Sequence, residues 1–143
     1  APVNSLYALH ESLLMLQEEG LENAWARHTH LHNALKAGLE AMGLSFIVPE
    51  DSRLPQLNAV TIPDSVDEAV VRKRLLHEYN LEIGAGLGSL AGKVWRIGLM
   101  GHSASASNVM FCLASLESVL SDMGANIQTG VALPAGQKAS FIK

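Results

Sequence analysis

The chain has 143 residues, 48% hydrophobic and 17% charged, with a formal charge of -4, a pI of about 5.8 and a mean hydropathy of +0.19. That length suits one domain with a real core, and the balance excludes both a disordered chain and the basic footprint of a nucleic-acid binder. One cysteine excludes an internal disulfide, no apolar run nears the roughly 20 residues that span a bilayer, and no secretory signal opens the chain, so the expectation is a cytoplasmic protein. The apolar mean hydropathy, with few aromatics, suggests surface that meets another domain or subunit.

Ala1-Pro2-Val3 reads as an extended lead-in, with Asn4 and Ser5 as candidate N-caps. Leu6, Leu9, Leu13 and Leu16 then recur at helical spacing as far as Gly20. A second helix carries Trp25, His28, Leu31, Leu35, Leu39 and Met42 on one stripe, ending at Gly43. Two such helices make a scaffold or an interface and suggest no chemistry. His28 and His32 would share a helix face while His30 points elsewhere, and no nearby Cys or suitably spaced Glu completes a metal site. The three are read as surface or half-buried helix histidines.

Leu44 to Val48 reads as a short strand and Leu57 to Ile62 as a second, with a polar loop between them. Ser65-Val66-Asp67-Glu68 has the form of a capping box, with Ser65 at the N-cap and Glu68 reaching back. Val66, Val70 and Tyr79, with Leu75 or Leu76, form the apolar side of the helix it opens. Leu81 to Ile83 is a brief strand into Gly84-Ala85-Gly86-Leu87-Gly88. Those glycines lack the dinucleotide-binding spacing, and a strand follows them, so they are read as permitting a tight turn and close backbone approach.

That strand is Lys93-Val94-Trp95-Arg96-Ile97-Gly98-Leu99. Alternation places Trp95, Ile97 and Leu99 on one face, fit to pack under helices, and Val94, Arg96 and Gly98 on the other. Arginine is rarely buried alone, and its planar fork matches a carboxylate or phosphate. Two readings stay open for Arg96: an ion pair with one of the chain's own acids, or a ligand anion. Ser103 or Ser105 then caps a last helix with Val109, Leu113, Leu116, Leu120 and Met123 on its buried side. Cys112 adjoins that stripe as a packing residue rather than a nucleophile. Gly124 ends the helix, and residues 125–143 read as a loose tail. Intermixed helices and strands predict an α+β fold, a two-layer sandwich.

Several stretches together resemble one family. Ala1-Pro2-Val3-Asn4-Ser5-Leu6-Tyr7-Ala8-Leu9, Glu18-Glu19-Gly20-Leu21-Glu22-Asn23-Ala24-Trp25, and the run from Leu81 to Gly88 with Gly92 to Gly101 are similar to alanine–glyoxylate and serine–glyoxylate (serine–pyruvate) aminotransferases, over roughly residues 1–123. The resemblance implies a class V, fold-type I enzyme, a homodimer that uses pyridoxal 5'-phosphate and acts on small amino and keto acids. It implies that Arg96 holds the substrate's α-carboxylate. Residues 1–42 would be linking helices from a large domain, 43–124 the C-terminal small domain, and 125–143 a tail. The Schiff-base lysine, the aspartate on the pyridine nitrogen and a Tyr-His-His-Thr segment would all lie upstream of Ala1, and Lys36, Lys73 and Lys93 match no such motif. The expectation is a C-terminal fragment of an enzyme moving an amino group from alanine or serine to glyoxylate or pyruvate, inactive alone. No catalytic, cofactor-binding or metal-binding residue is assigned within it. The alternatives are a cysteine desulfurase, which Cys112 in a helix stripe fits poorly, and a non-catalytic α+β module that binds carboxylates at Arg96 or dimerises through its first helices.

Overall fold

A computed structural model describes residues 2–141. Helix α1 (Val3–Glu19) and helix α2 (Leu21–Ala41) are separated only by Gly20, whose φ of 83° breaks the helical path while its N–H still bonds the Leu16 carbonyl. Asn4 and Ser5 do not cap α1, because Pro2 takes the N-cap position and both residues lie inside the first turn. No α1 residue is buried, and Leu6, Leu9 and Leu13 are each more than half exposed. In α2 the buried arc runs through Ala24, His28, Leu31, Leu35 and Leu39. Trp25, expected on that stripe, sits one residue off it and is 59% exposed.

Three strands form one antiparallel sheet in the order β1-β3-β2, with β1 at Leu57–Thr61, β2 at Gly84–Ala85 and β3 at Val94–Gly98. The expected strand from Leu44 to Val48 survives only as a single bridge from Phe46 to Val60, although the Ile47 N–H still bonds the Ala59 carbonyl and the Thr61 N–H the Ser45 carbonyl across that edge. The strand expected at Leu81 to Ile83 begins later, so the pairing residues are Gly84 and Ala85. Helix α3 (Glu68–Tyr79) starts three residues after the expected cap. Asp67 is its N-cap, accepting from the Val70 N–H at 2.9 Å, while Ser65 Oγ accepts from the Asn126 N–H.

Helix α4 (Ala106–Asp122) begins at Ser105, which accepts from the Asn108 N–H, and it buries Val109, Cys112, Leu113, Leu116 and Leu120 as its spacing predicts. These side chains join Leu35 and Leu39 of α2, Val71 and Leu75 of α3, and Val60, Trp95 and Ile97 of the sheet in one continuous core. The result is a helical layer on one face of a small sheet, the predicted two-layer α+β sandwich.

The loose tail expected after Gly124 is corrected by helix α5 (Ala132–Phe141), which packs into the seam between α2 and α4. Its contact is made by small residues. A Cβ on Gly136 would come within 2.7 Å of Leu113 Cδ1 and 3.2 Å of the Ala34 carbonyl oxygen. Ala132 is fully buried at the same seam. Close backbone approach thus takes the place of a bulky apolar stripe. No helix among the described residues is long and apolar enough to cross a membrane.

Candidate carboxylate-binding site

Strand β3 places its two faces in different surroundings. Trp95, Ile97 and, just beyond the strand, Leu99 are buried under the helices. Arg96 leaves the opposite face and is half-buried. Its cross-strand neighbours are Ala59 in β1 and Gly84 in β2, and Gly98 is the next residue on its face. One guanidinium therefore lies among three small residues.

Gly84 shapes that guanidinium directly. A Cβ there would be 3.3 Å from Arg96 Nη2, so the arginine lies across the bare Cα. Arg96 Nε donates to the Ala85 carbonyl at 2.7 Å. With Nε committed, the two terminal nitrogens have no hydrogen-bond partner among the described residues, and they form the fork that suits a carboxylate.

The contrast with the other arginines is decisive against an internal ion pair. Arg27 pairs with Glu19, Arg53 with Glu40, Arg72 with Glu68, and Arg74 with both Glu78 and Asp122. Among the described residues no acid lies within ion-pair distance of Arg96. The glycine loop beside it serves the turn into β3: Gly86 N–H bonds the Val94 carbonyl, and a Cβ on Gly86 would collide with the Leu90 carbonyl.

The buried face of the same strands holds a polar bracket that the sequence did not reveal. His32 in α2 and Asn58 in β1 are both buried, 8% and 1% exposed, which corrects the surface or half-buried reading for His32, while His30 is half-buried as expected. Asn58 Nδ2 donates to the Ile97 carbonyl at 3.2 Å, so its Oδ1 is the acceptor for His32 Nδ1–H at 2.7 Å. His28, also buried, donates from Nδ1 to the Ala24 carbonyl at 2.6 Å. An imidazole whose ring N–H has an acceptor tolerates burial, which is why these rings sit in the core. The only advance signal was their spacing on the α2 stripe.

Cys112 is buried, and desolvation pushes its thiol up to about 12, which leaves no thiolate to act as a nucleophile. It lines a cavity of about 320 Å³ with Leu35, Ile83, Ile97, Leu99 and Val109, on the side of β3 away from Arg96. Among the lysines, Lys36 is tied to Glu50 and Glu40, while Lys73 and Lys93 are exposed.

No family model matches the sequence. The chain is 45% identical over 130 residues to the (S)-ureidoglycine–glyoxylate transaminase of Bacillus subtilis, covering 91% of this chain and 31% of that protein. Against the crystal structure of the ureidoglycine–glyoxylate aminotransferase from that organism the TM-score is 0.90 at 44% identity, covering 94% of this chain and 35% of the other. It is 41% identical to the alanine–glyoxylate aminotransferase of mouse over 109 residues (76% of this chain, 26% of the relative). To the serine–glyoxylate aminotransferase of Arabidopsis thaliana it is 35% identical over 134 residues (93% and 33%). The chain thus spans about a third of the length of the curated relatives it matches.

Proposed function

From the chain's membership of the glyoxylate aminotransferase family, we propose that it is the C-terminal part of a pyridoxal 5'-phosphate-dependent aminotransferase in which Arg96 grips the substrate α-carboxylate. The observation that carries this reading is the guanidinium of Arg96, held at Nε by the Ala85 carbonyl and matched to no acid among the described residues. Glyoxylate is the acceptor we assign, because it is common to the names of all three relatives. The donor is a small amine-bearing acid, and ureidoglycine joins alanine and serine as a candidate on the strength of the Bacillus relative.

Within this scheme the work of the chain is positional. Two parallel charge-assisted hydrogen bonds from Arg96 would fix the carboxylate and so orient the adjacent Cα–H bond. The flanking Ala59, Gly84 and Gly98 leave room for a ligand to reach the fork. Bound pyridoxal phosphate would supply the electron sink and carry the amino group. Among the described lysines, Lys36 is occupied in ion pairs, Lys73, Lys93 and Lys138 are exposed, and none matches a Schiff-base motif. We therefore assign the cofactor anchor to the portion of the protein beyond this third, and a subunit interface to the exposed apolar side chains of α1 and Trp25 in a homodimer. We place the enzyme in the cytoplasm.

The test is the visible spectrum of the full-length protein before and after each donor, followed by glyoxylate. A yellow protein that bleaches with alanine, serine or ureidoglycine and recovers with glyoxylate supports the reading and selects the donor. A colourless protein that takes up no pyridoxal phosphate would leave a carboxylate-binding module instead.

A further inference from the structure

Because α1 buries none of its side chains, its angle to the rest of the chain depends on few contacts. Glu19, its last residue, is gripped across the Gly20 break by Arg27 of α2. Nε donates to Oε1 at 2.5 Å and Nη2 to Oε2 at 2.8 Å, a two-point fork on one carboxylate. Asn23 adds a local bond to the Glu19 carbonyl oxygen at 2.8 Å.

The remaining nitrogen of Arg27 reaches somewhere else. Nη1 donates to the carbonyl oxygens of Gly101 at 3.1 Å and Ala104 at 2.8 Å, in the turn that follows β3. All three guanidinium nitrogens are thus engaged, by two segments far apart in the chain. Around them a cleft of about 520 Å³, lined by Met15, Leu16, His28 and His102 among others, separates α1 from that turn. The guanidinium bridges a gap that packing leaves open.

We propose that Arg27 is a positioning residue that locks α1 and the turn after β3 into one unit, and so holds whatever protein α1 carries at a fixed angle to Arg96. This rests on the reading of Arg96 as the carboxylate grip and extends it. A site shared between two parts of a protein needs the grip and the reacting centre in register, since about 1 Å of displacement can cost about a hundredfold in rate. Lysine could offer only a point charge in place of four directed hydrogen bonds.

The experiment uses the full-length protein with Arg27→Gln, Arg27→Lys and Glu19→Gln. Each substitution is expected to raise KM for glyoxylate by about fivefold or more and to lower kcat as well, because the grip and the reacting centre lose register. Each is also expected to speed subtilisin cleavage at the Gly20 elbow about fivefold or more, as a loosened segment exposes its backbone. The double variant Arg27→Gln with Glu19→Gln should be no worse than the worse single one, because both remove the same contact. Unchanged elbow cleavage in the variants overturns the lock. So does an unchanged KM in them when Arg96→Ala raises it. If Arg96→Ala itself leaves KM unchanged, the carboxylate-grip reading has failed, and elbow cleavage alone then decides the lock. Should Arg27→Gln not fold, Glu19→Gln carries the test, because it leaves both carbonyl contacts in place.

Discussion

Gly38→Ala probes the seam that holds α5, and its sign separates two physical effects. At an open helix position the change should stabilise by about 1 kcal/mol, because alanine loses less backbone freedom than glycine. Here the added methyl would lie 2.5 Å from Leu113 Cδ2 and 3.0 Å from the Ala132 carbonyl oxygen. Leu113 is fully buried, and the carbonyl belongs to the first turn of α5, so neither can withdraw without moving other atoms. Overpacking of this kind costs about 1–3 kcal/mol, which leaves a net loss of up to about 2 kcal/mol after the helix gain. Urea denaturation followed by Trp95 fluorescence reads the total, since that indole is fully buried. Amide exchange in α5 reads the local effect, with acceleration of up to about thirtyfold for a loss of that size. In a Leu113→Ala background, itself destabilised, Gly38→Ala should cost less than in the parent, because the two side chains compete for one space. A Gly38→Ala protein more stable than its parent, with unaltered exchange in α5, would refute the close approach of α2, α4 and α5.

Other outcomes follow from the site and the core. Arg96→Ala should raise KM and lower kcat/KM by on the order of 2–5 kcal/mol of lost charge-assisted binding, with pyridoxal phosphate still bound; steady-state kinetics and the visible spectrum check both halves. Asn58→Ala should cost about 1–3 kcal/mol in a denaturation midpoint, because the buried His32 N–H loses its acceptor. Adding His32→Leu should return part of that, since no donor then remains unpaired. Cys112 should resist thiol reagents in the native protein and react once unfolded, as peptide mass spectrometry can follow. Burial raises its folded pKa from 9.0 to about 12, so its contribution to stability is complete below pH 9.0 and is lost as pH rises toward 12.

Much of the fold was legible because local chemistry and tertiary packing agree. Gly20 breaks the first helical run, Ser105, one of two expected caps, starts α4, and the spacing of Val109, Leu113, Leu116 and Leu120 marks its buried side. Alternation along Val94 to Leu99 separated Arg96 from the core-facing Trp95 and Ile97 before any strand was paired. Period and side-chain size suffice where one element has one buried face.

Elsewhere only the assembled structure could decide. Leucines at helical spacing in α1 look like those of a core helix, yet no element among the described residues covers them. The docking of α5 escaped notice because periodicity registers bulky residues, whereas Gly136 and Ala132 work by letting backbones meet. Ser65 was the expected cap of α3, but the chain's path gives that position to Asp67 and turns Ser65 to the Asn126 N–H. Arg96 shows the division most clearly. Its face follows from strand parity, a property of consecutive residues, but its lack of an acidic partner among the described residues depends on where distant carboxylates come to rest. Glu19, Glu40, Glu68, Glu78 and Asp122 settle on the other arginines, and that allocation exists only in three dimensions.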